Sequence, residues 1–210
     1  MLTFSSSIVI EDALNGFRAG HNPQPIFFYS SRNRAEPGRS DPNAILASLA
    51  RQLSSPEPGK PLLEPTLDLY KKKEAEAFAS GSLRIEDSCK LIIQLIEQYP
   101  LTTIVIDALD ECDPEKRCDL LKSLEKILRE SSALVKMFVS SRDDHDIVFR
   151  LQRYPNLEIK SDRNGNDIAA FVMDRTEQLI EDGELLQYSD SQTKMKELIV
   201  KKVIEGANGM

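Results

Sequence analysis

The stretch TTIVIDALDECDPEK, Thr102 to Lys116, decides how this chain is read. Three β-branched apolar residues, Ile104, Val105 and Ile106, run straight into Asp107, Asp110, Glu111 and Asp113. An apolar run without alternation is what a strand covered by helices on both faces shows. Four carboxylates crowded where such a run ends repel one another, and in a partly dehydrated pocket one of them is driven to take up a proton unless a cation sits among them. A metal ion is the simplest remedy.

Outward from this stretch, segments of two kinds alternate, which points to an α/β layout with parallel strands. PIFFYSS (25–31), TTIVIDAL (102–109) and VKMFVSSR (135–142) are strand candidates, with LEIK (157–160) a weaker one. Amphipathic helices lie between them. Ile45, Leu49 and Leu53 recur after Asp41-Pro42, where Asp41 can cap the first free N–H groups and Pro42 suits the first helical position. The same device at Asp113-Pro114 predicts a helix with Leu121, Leu124 and Leu128 on one face. Ile85, Cys89, Ile92, Ile93 and Ile96 mark a further helix ending before Pro100, and two more are expected near 166–182 and 191–205. The proline-rich SSPEPGKPLLEP (54–65) reads as an irregular loop, and LYKKKEAEAF beyond it as a solvated helix face.

Ligands of open parallel α/β sheets bind beyond the carboxyl ends of the strands, and Asp107 stands at such an end. Nucleoside triphosphatases hold Mg²⁺ with an Asp in this position and orient the attacking water with a nearby Glu. Asp113 is accounted for as a helix cap and Asp110 as a turn stabiliser, which leaves Asp107 and Glu111 without a purely structural role. Arg142 emerges from the next strand at the same edge. It either reaches a γ-phosphate through its planar fork of donors or pairs with Asp107, Asp110 or Asp143.

Composition narrows the classes. With 210 residues, 40% of them hydrophobic, the chain fits a single globular domain. A net charge of −7, from 27 basic and 34 acidic residues, gives no general attraction to nucleic acid or to an anionic membrane, so neither is an expected partner. The N-terminal MLTFSSSIVIEDALNGF has no basic start and meets Glu11 and Asp12 too early for a signal peptide, and a cytoplasmic location is expected. Cys89, Cys112 and Cys118 form no CxxC pair and have no His nearby, so they are read as buried thiols. His21 and His145 are expected at the surface.

IVIDALDECDPEKR, followed by VKMFVSSRDDHDIV and preceded by FFYSSRNRAEPGRSDPNAILASLARQL, resembles the NACHT-type module of STAND P-loop NTPases. More narrowly it resembles the fungal nephrocystin-like N-terminal domain that often precedes ankyrin or similar repeats. The resemblance implies a three-layer α/β fold of the ASCE type, a parallel sheet flanked by helices, here lacking its first central strand. It implies one partial domain over residues 1–210, cut at both ends. Asp107 would be the Walker B ligand of Mg²⁺, Asp110 and Glu111 the catalytic acids around the water, and Arg142 the sensor residue. Counting back from Ile8-Val9-Ile10-Glu11 puts the last position of the Walker A motif at Thr3, its Lys at Leu2 and a Gly at Met1. ATP and Mg²⁺ are the cofactors implied for the intact domain. Without the glycine-rich loop and its Lys, tight ATP binding by this chain alone is not expected.

The leading expectation is thus a partial nucleotide-binding switch domain whose parent couples ATP to oligomerisation with protein partners. A non-catalytic interaction module keeping the same fold is the alternative. A phosphate-binding domain of receiver type is a third, weakened by the Asp-Ala-Leu-Asp-Glu spacing.

Overall fold

Three of the apolar runs form strands in the computed structural model, which describes residues 2–55, 59–76, 83–157, 165–189 and 191–207. They are β1 (Ile26–Tyr29), β2 (Leu101–Asp107) and β3 (Leu134–Val139), all parallel and side by side in that order. Tyr29 stands opposite Asp107, and Val139 opposite Ile106, so the three carboxyl ends meet at one edge of the sheet.

The chain divides into two compact units. The first, Met1–Arg153, holds the sheet and six helices among its described residues: α1 (Leu2–Arg18), α2 (Pro42–Ser54), α3 (Glu64–Ala75), α4 (Ile85–Ile96), α5 (Arg117–Glu130) and α6 (His145–Leu151). The second, Tyr154–Met210, holds α7 (Gly165–Glu181) and α8 (Gln192–Ala207).

Strand periodicity assigns the faces of the sheet. Ile104 and Ile106 point to one side, where they join Ile26 and the apolar stripes of α2, α4 and α5 in the main core. Ile45, Leu46 and Leu49 of α2, Ile92, Leu95 and Ile96 of α4 and Leu120 and Ile127 of α5 are fully buried. Each such side chain contributes about 1.5–3 kcal/mol relative to exposure. Val105 and Asp107 point to the other side, and Asp107 meets Ser6 of α1 there. Val105 is nonetheless fully buried, as a two-sided sheet requires. This division follows from the right-handed crossover rule: strands added successively in one direction place their connecting helices on one face, and α1, which precedes β1, is left for the other.

The outer edge of β1 is closed by a side chain. The Gln52 amide of α2 accepts from Phe27 N at 3.0 Å and donates to Phe27 O at 2.9 Å, doing for one residue what a further strand would do for several.

Some local expectations need correction. The helix expected from Asp113-Pro114 begins at Arg117, because the Asp113 carbonyl accepts from both Lys116 N and Arg117 N and closes a turn first. The Asp113 carboxylate accepts from Glu115 N inside that turn. Asp41 occupies the position before α2 with Pro42 first in the helix, but its carboxylate caps no N–H; its main-chain carbonyl accepts from Ile45 N instead. Pro65, read as loop, lies in the first turn of α3. Cys89 and Cys112 are buried, whereas Cys118 is half-buried and accepts from Arg150. Of the weak strand candidate 157–160, Leu157 is in no strand and the rest lies outside the described residues.

Candidate functional site

Beyond Asp107 the backbone turns sharply. Ala108 adopts a left-handed conformation, φ 53° and ψ 52°, and Leu109–Glu111 follow as a single 3₁₀ turn. A non-glycine residue held there costs of order 1–3 kcal/mol and persists only where the surroundings fix it. Ser140, just past β3, does the fixing: its Oγ accepts from Ala108 N at 2.9 Å, and its carbonyl from Leu109 N at 2.9 Å. Together these bonds pin the acid-bearing turn to the neighbouring strand end.

The same hydroxyl donates to Asp107 Oδ1 at 2.5 Å, and Ser6 Oγ of α1 donates to that oxygen at 2.6 Å. Asp107 is only 2% exposed, so its charge is held by two hydroxyl donors in place of water. Asp110 and Glu111 turn a different way. Arg142 N donates to Asp110 Oδ1 at 3.1 Å, while the Arg142 guanidinium lies 3.6 Å from Asp110 and 3.9 Å from Glu111. Glu111 also accepts from Arg32 N at 3.1 Å, and the Arg32 guanidinium donates to the Asp110 carbonyl.

The four carboxylates of the opening stretch are therefore divided: Asp107 lies under α1, Asp110 and Glu111 face arginines, and Asp113 sits in its own turn 3.8 Å from Lys116. Among the described residues no group of three or more His, Cys, Asp or Glu is placed to hold a metal ion. Of the two sequence-level readings of Arg142, the structure displays the ion pair, with Asp110 and Glu111 as the partners. Its side chain is 75% exposed and sits on the same rim as the acids. Thr3 lies on α1 one turn before Ser6, and its side chain is outside the described ones.

Four residues escaped the sequence reading: Ser6, Ser140, Arg32 and Arg117. Arg117 is the only buried charged cation among the described residues. Its Nε and Nη2 bind both oxygens of Asp146 at 2.8 and 2.7 Å, Nη2 lies 2.8 Å from Asp144, and Nη1 donates to the Asp110 carbonyl at 2.9 Å. These hydrogen bonds to Asp146 raise the pKa of Arg117 further and hold the Asp146 carboxyl below the usual carboxylate range. One sequence signal was available: an Arg in the first turn of a helix opposes the macrodipole and needs another reason to be there. At the same edge, burial pushes the Cys112 thiol up to about 11, so it stays protonated and inert at neutral pH.

A helix-flanked parallel sheet with polar residues gathered at its carboxyl edge defines an α/β domain of the kind that binds ligands at that edge. The family model described as nephrocystin 3, N-terminal, matches residues 3–142, and the chain belongs to that family. The match covers every strand among the described residues and each residue of the rim from Ser6 to Arg142. Neither the curated proteins nor the solved structures contain a match to the chain.

Proposed function

We propose that the first unit is the nucleotide-binding switch domain of a STAND-type NTPase, with Asp107 in the Walker B position, Asp110 and Glu111 beside the water to be activated, and Arg142 as the sensor of the terminal phosphate. The observation that carries this reading is the placing of Arg142 directly against Asp110 and Glu111 at the carboxyl edge of a parallel sheet. An exposed guanidinium resting on two acids is poised to exchange them for a phosphate, because its planar fork fits either.

The residues present suit Mg²⁺. The ion takes oxygen ligands, keeps several waters and needs only one or two carboxylates beside the phosphates, so a single buried Asp with hydroxyl neighbours is compatible with it. Ser30, whose N donates to the Asp107 carbonyl, has a buried hydroxyl without a protein partner at this edge. Asp107, Ser6 and Ser30 would hold the ion and its waters, and the ion would neutralise phosphate charge. This chain's own residues supply the rest: Glu111 orients a water, and Arg142 binds and reports the phosphate.

The test is nucleotide binding and turnover in a chain carrying a glycine-rich loop ahead of α1. Glu111→Gln is expected to bind a fluorescent ATP analogue as the parent does while hydrolysis falls about 100-fold, in line with loss of a water-orienting base. Arg142→Ala is expected to weaken binding of the triphosphate more than of the diphosphate. Turnover unchanged in Glu111→Gln removes the assignment.

A second reading, an interaction module without catalysis, draws on a different observation: Asp107, Asp110 and Glu111 all have protein donors as they stand. Absence of any nucleotide-dependent change in the extended chain favours it.

A further inference from the structure

We infer that Arg117 is a positioning residue that joins the acid turn and the arginine loop into one mechanical unit. The inference rests on the proposed reading of Asp110, Glu111 and Arg142 for its functional meaning, but not for its geometry. Asp110 and Glu111 sit in the turn after β2, and Arg142 lies in the loop after β3 that leads through Asp144 into α6. Between these segments runs a buried guanidinium. It holds the main chain of the acid turn through the Asp110 carbonyl and, on its other side, the carboxylates of Asp144 and Asp146 at the start of α6. The planar fork fixes these contacts at set angles, which an ammonium on a flexible stem does not.

The consequence is directional. Among the described residues the Asp146 carboxylate takes its side-chain hydrogen bonds from Arg117, and a change at Asp146 is felt at Asp110 because the donor that releases one oxygen is rigidly joined to the donor that holds the other. α6 is the last helix of the first unit, which ends at Arg153. Displacement of Arg142 by a phosphate, or a force on α6, is thereby transmitted to the other side of the latch, and the coupling is reciprocal.

Hydrogen exchange on the full chain tests this without any nucleotide. The amides of Leu109, Glu111 and Cys112 report on the acid turn, and that of Val148 reports on α6. Asp146→Asn puts amide hydrogens against the donors of Arg117 while leaving an exposed position folded. It is expected to speed exchange about tenfold at both places, the scale of one charge-assisted hydrogen bond, and to leave β1 and β2 unchanged. Asp143→Asn removes the same charge from the same loop and is expected to change nothing in the acid turn. Arg117→Met with Asp146→Asn is expected to loosen that turn no more than Arg117→Met alone. Loosening confined to 142–148, or an equal effect from Asp143→Asn, overturns the inference. Failure of nucleotide binding leaves it standing, and failure of the exchange coupling leaves the nucleotide reading standing.

Discussion

A single left-handed residue separates the two sides of the site. Asp107 and Asp110 are three residues apart, yet one lies under α1 and accepts from serine hydroxyls while the other faces an exposed guanidinium. Ala108 makes the difference, because its left-handed backbone reverses the chain between them. Asp146 supplies a prediction at this scale. Its hydrogen bond to Arg117 depresses its pKa in the folded state. A carboxyl of this kind stabilises the fold at pH above its unfolded value, about 3.9, and that contribution disappears as pH falls through the lower folded value. The stability difference between the parent and Asp146→Asn is therefore expected to be widest at neutral pH and to shrink below about pH 4. Urea midpoints at several pH values measure it. Because Asp146 is nearly half exposed, the effect is small; a gap independent of pH refutes the assignment.

Among elements, β1 is the most exposed to error, since it is four residues long and pairs only with β2 among the described residues. An open parallel edge invites another chain. Gln52 satisfies both main-chain groups of Phe27 and so blunts that edge. Gln52→Leu keeps the size of the side chain and removes both bonds. The variant is expected to lose about 1–3 kcal/mol, the cost of orphaned partly buried backbone groups, and to scatter light at lower temperature than the parent. Thermal melts followed by circular dichroism and by scattering check both outcomes. Unchanged melting with unchanged scattering would show that the edge is protected in some other way.

For the whole molecule, every residue of the main core falls between Ile26 and Leu151. The family match ends at 142, inside the same first unit. Residues 1–153 are accordingly expected to fold without the rest and to melt within a few degrees of the full chain, since they hold the whole of that core. A truncated protein with no cooperative transition would mean that the first unit depends on the second. Within the described residues no helix is long and apolar enough to cross a membrane.

Periodicity alone determined the alternation of strands and helices, the three strands to within three residues, and the placing of Asp107 at a carboxyl end, because each of these is written in residues close together along the chain. The shared rim of Asp110, Glu111 and Arg142 was also legible, since parallel strands bring their carboxyl ends to one edge whatever the loops do. Tertiary structure decided the partners. Ser6 reaches Asp107 across 101 positions, Ser140 across 33, and Arg117 clasps Asp146 across 29. Such contacts leave no period in the sequence, because a serine or an arginine looks the same whether it faces solvent or a buried carboxylate. Only the packing of α1 over β2, and of α5 beside α6, chose which hydroxyls and which guanidinium would stand where water otherwise would.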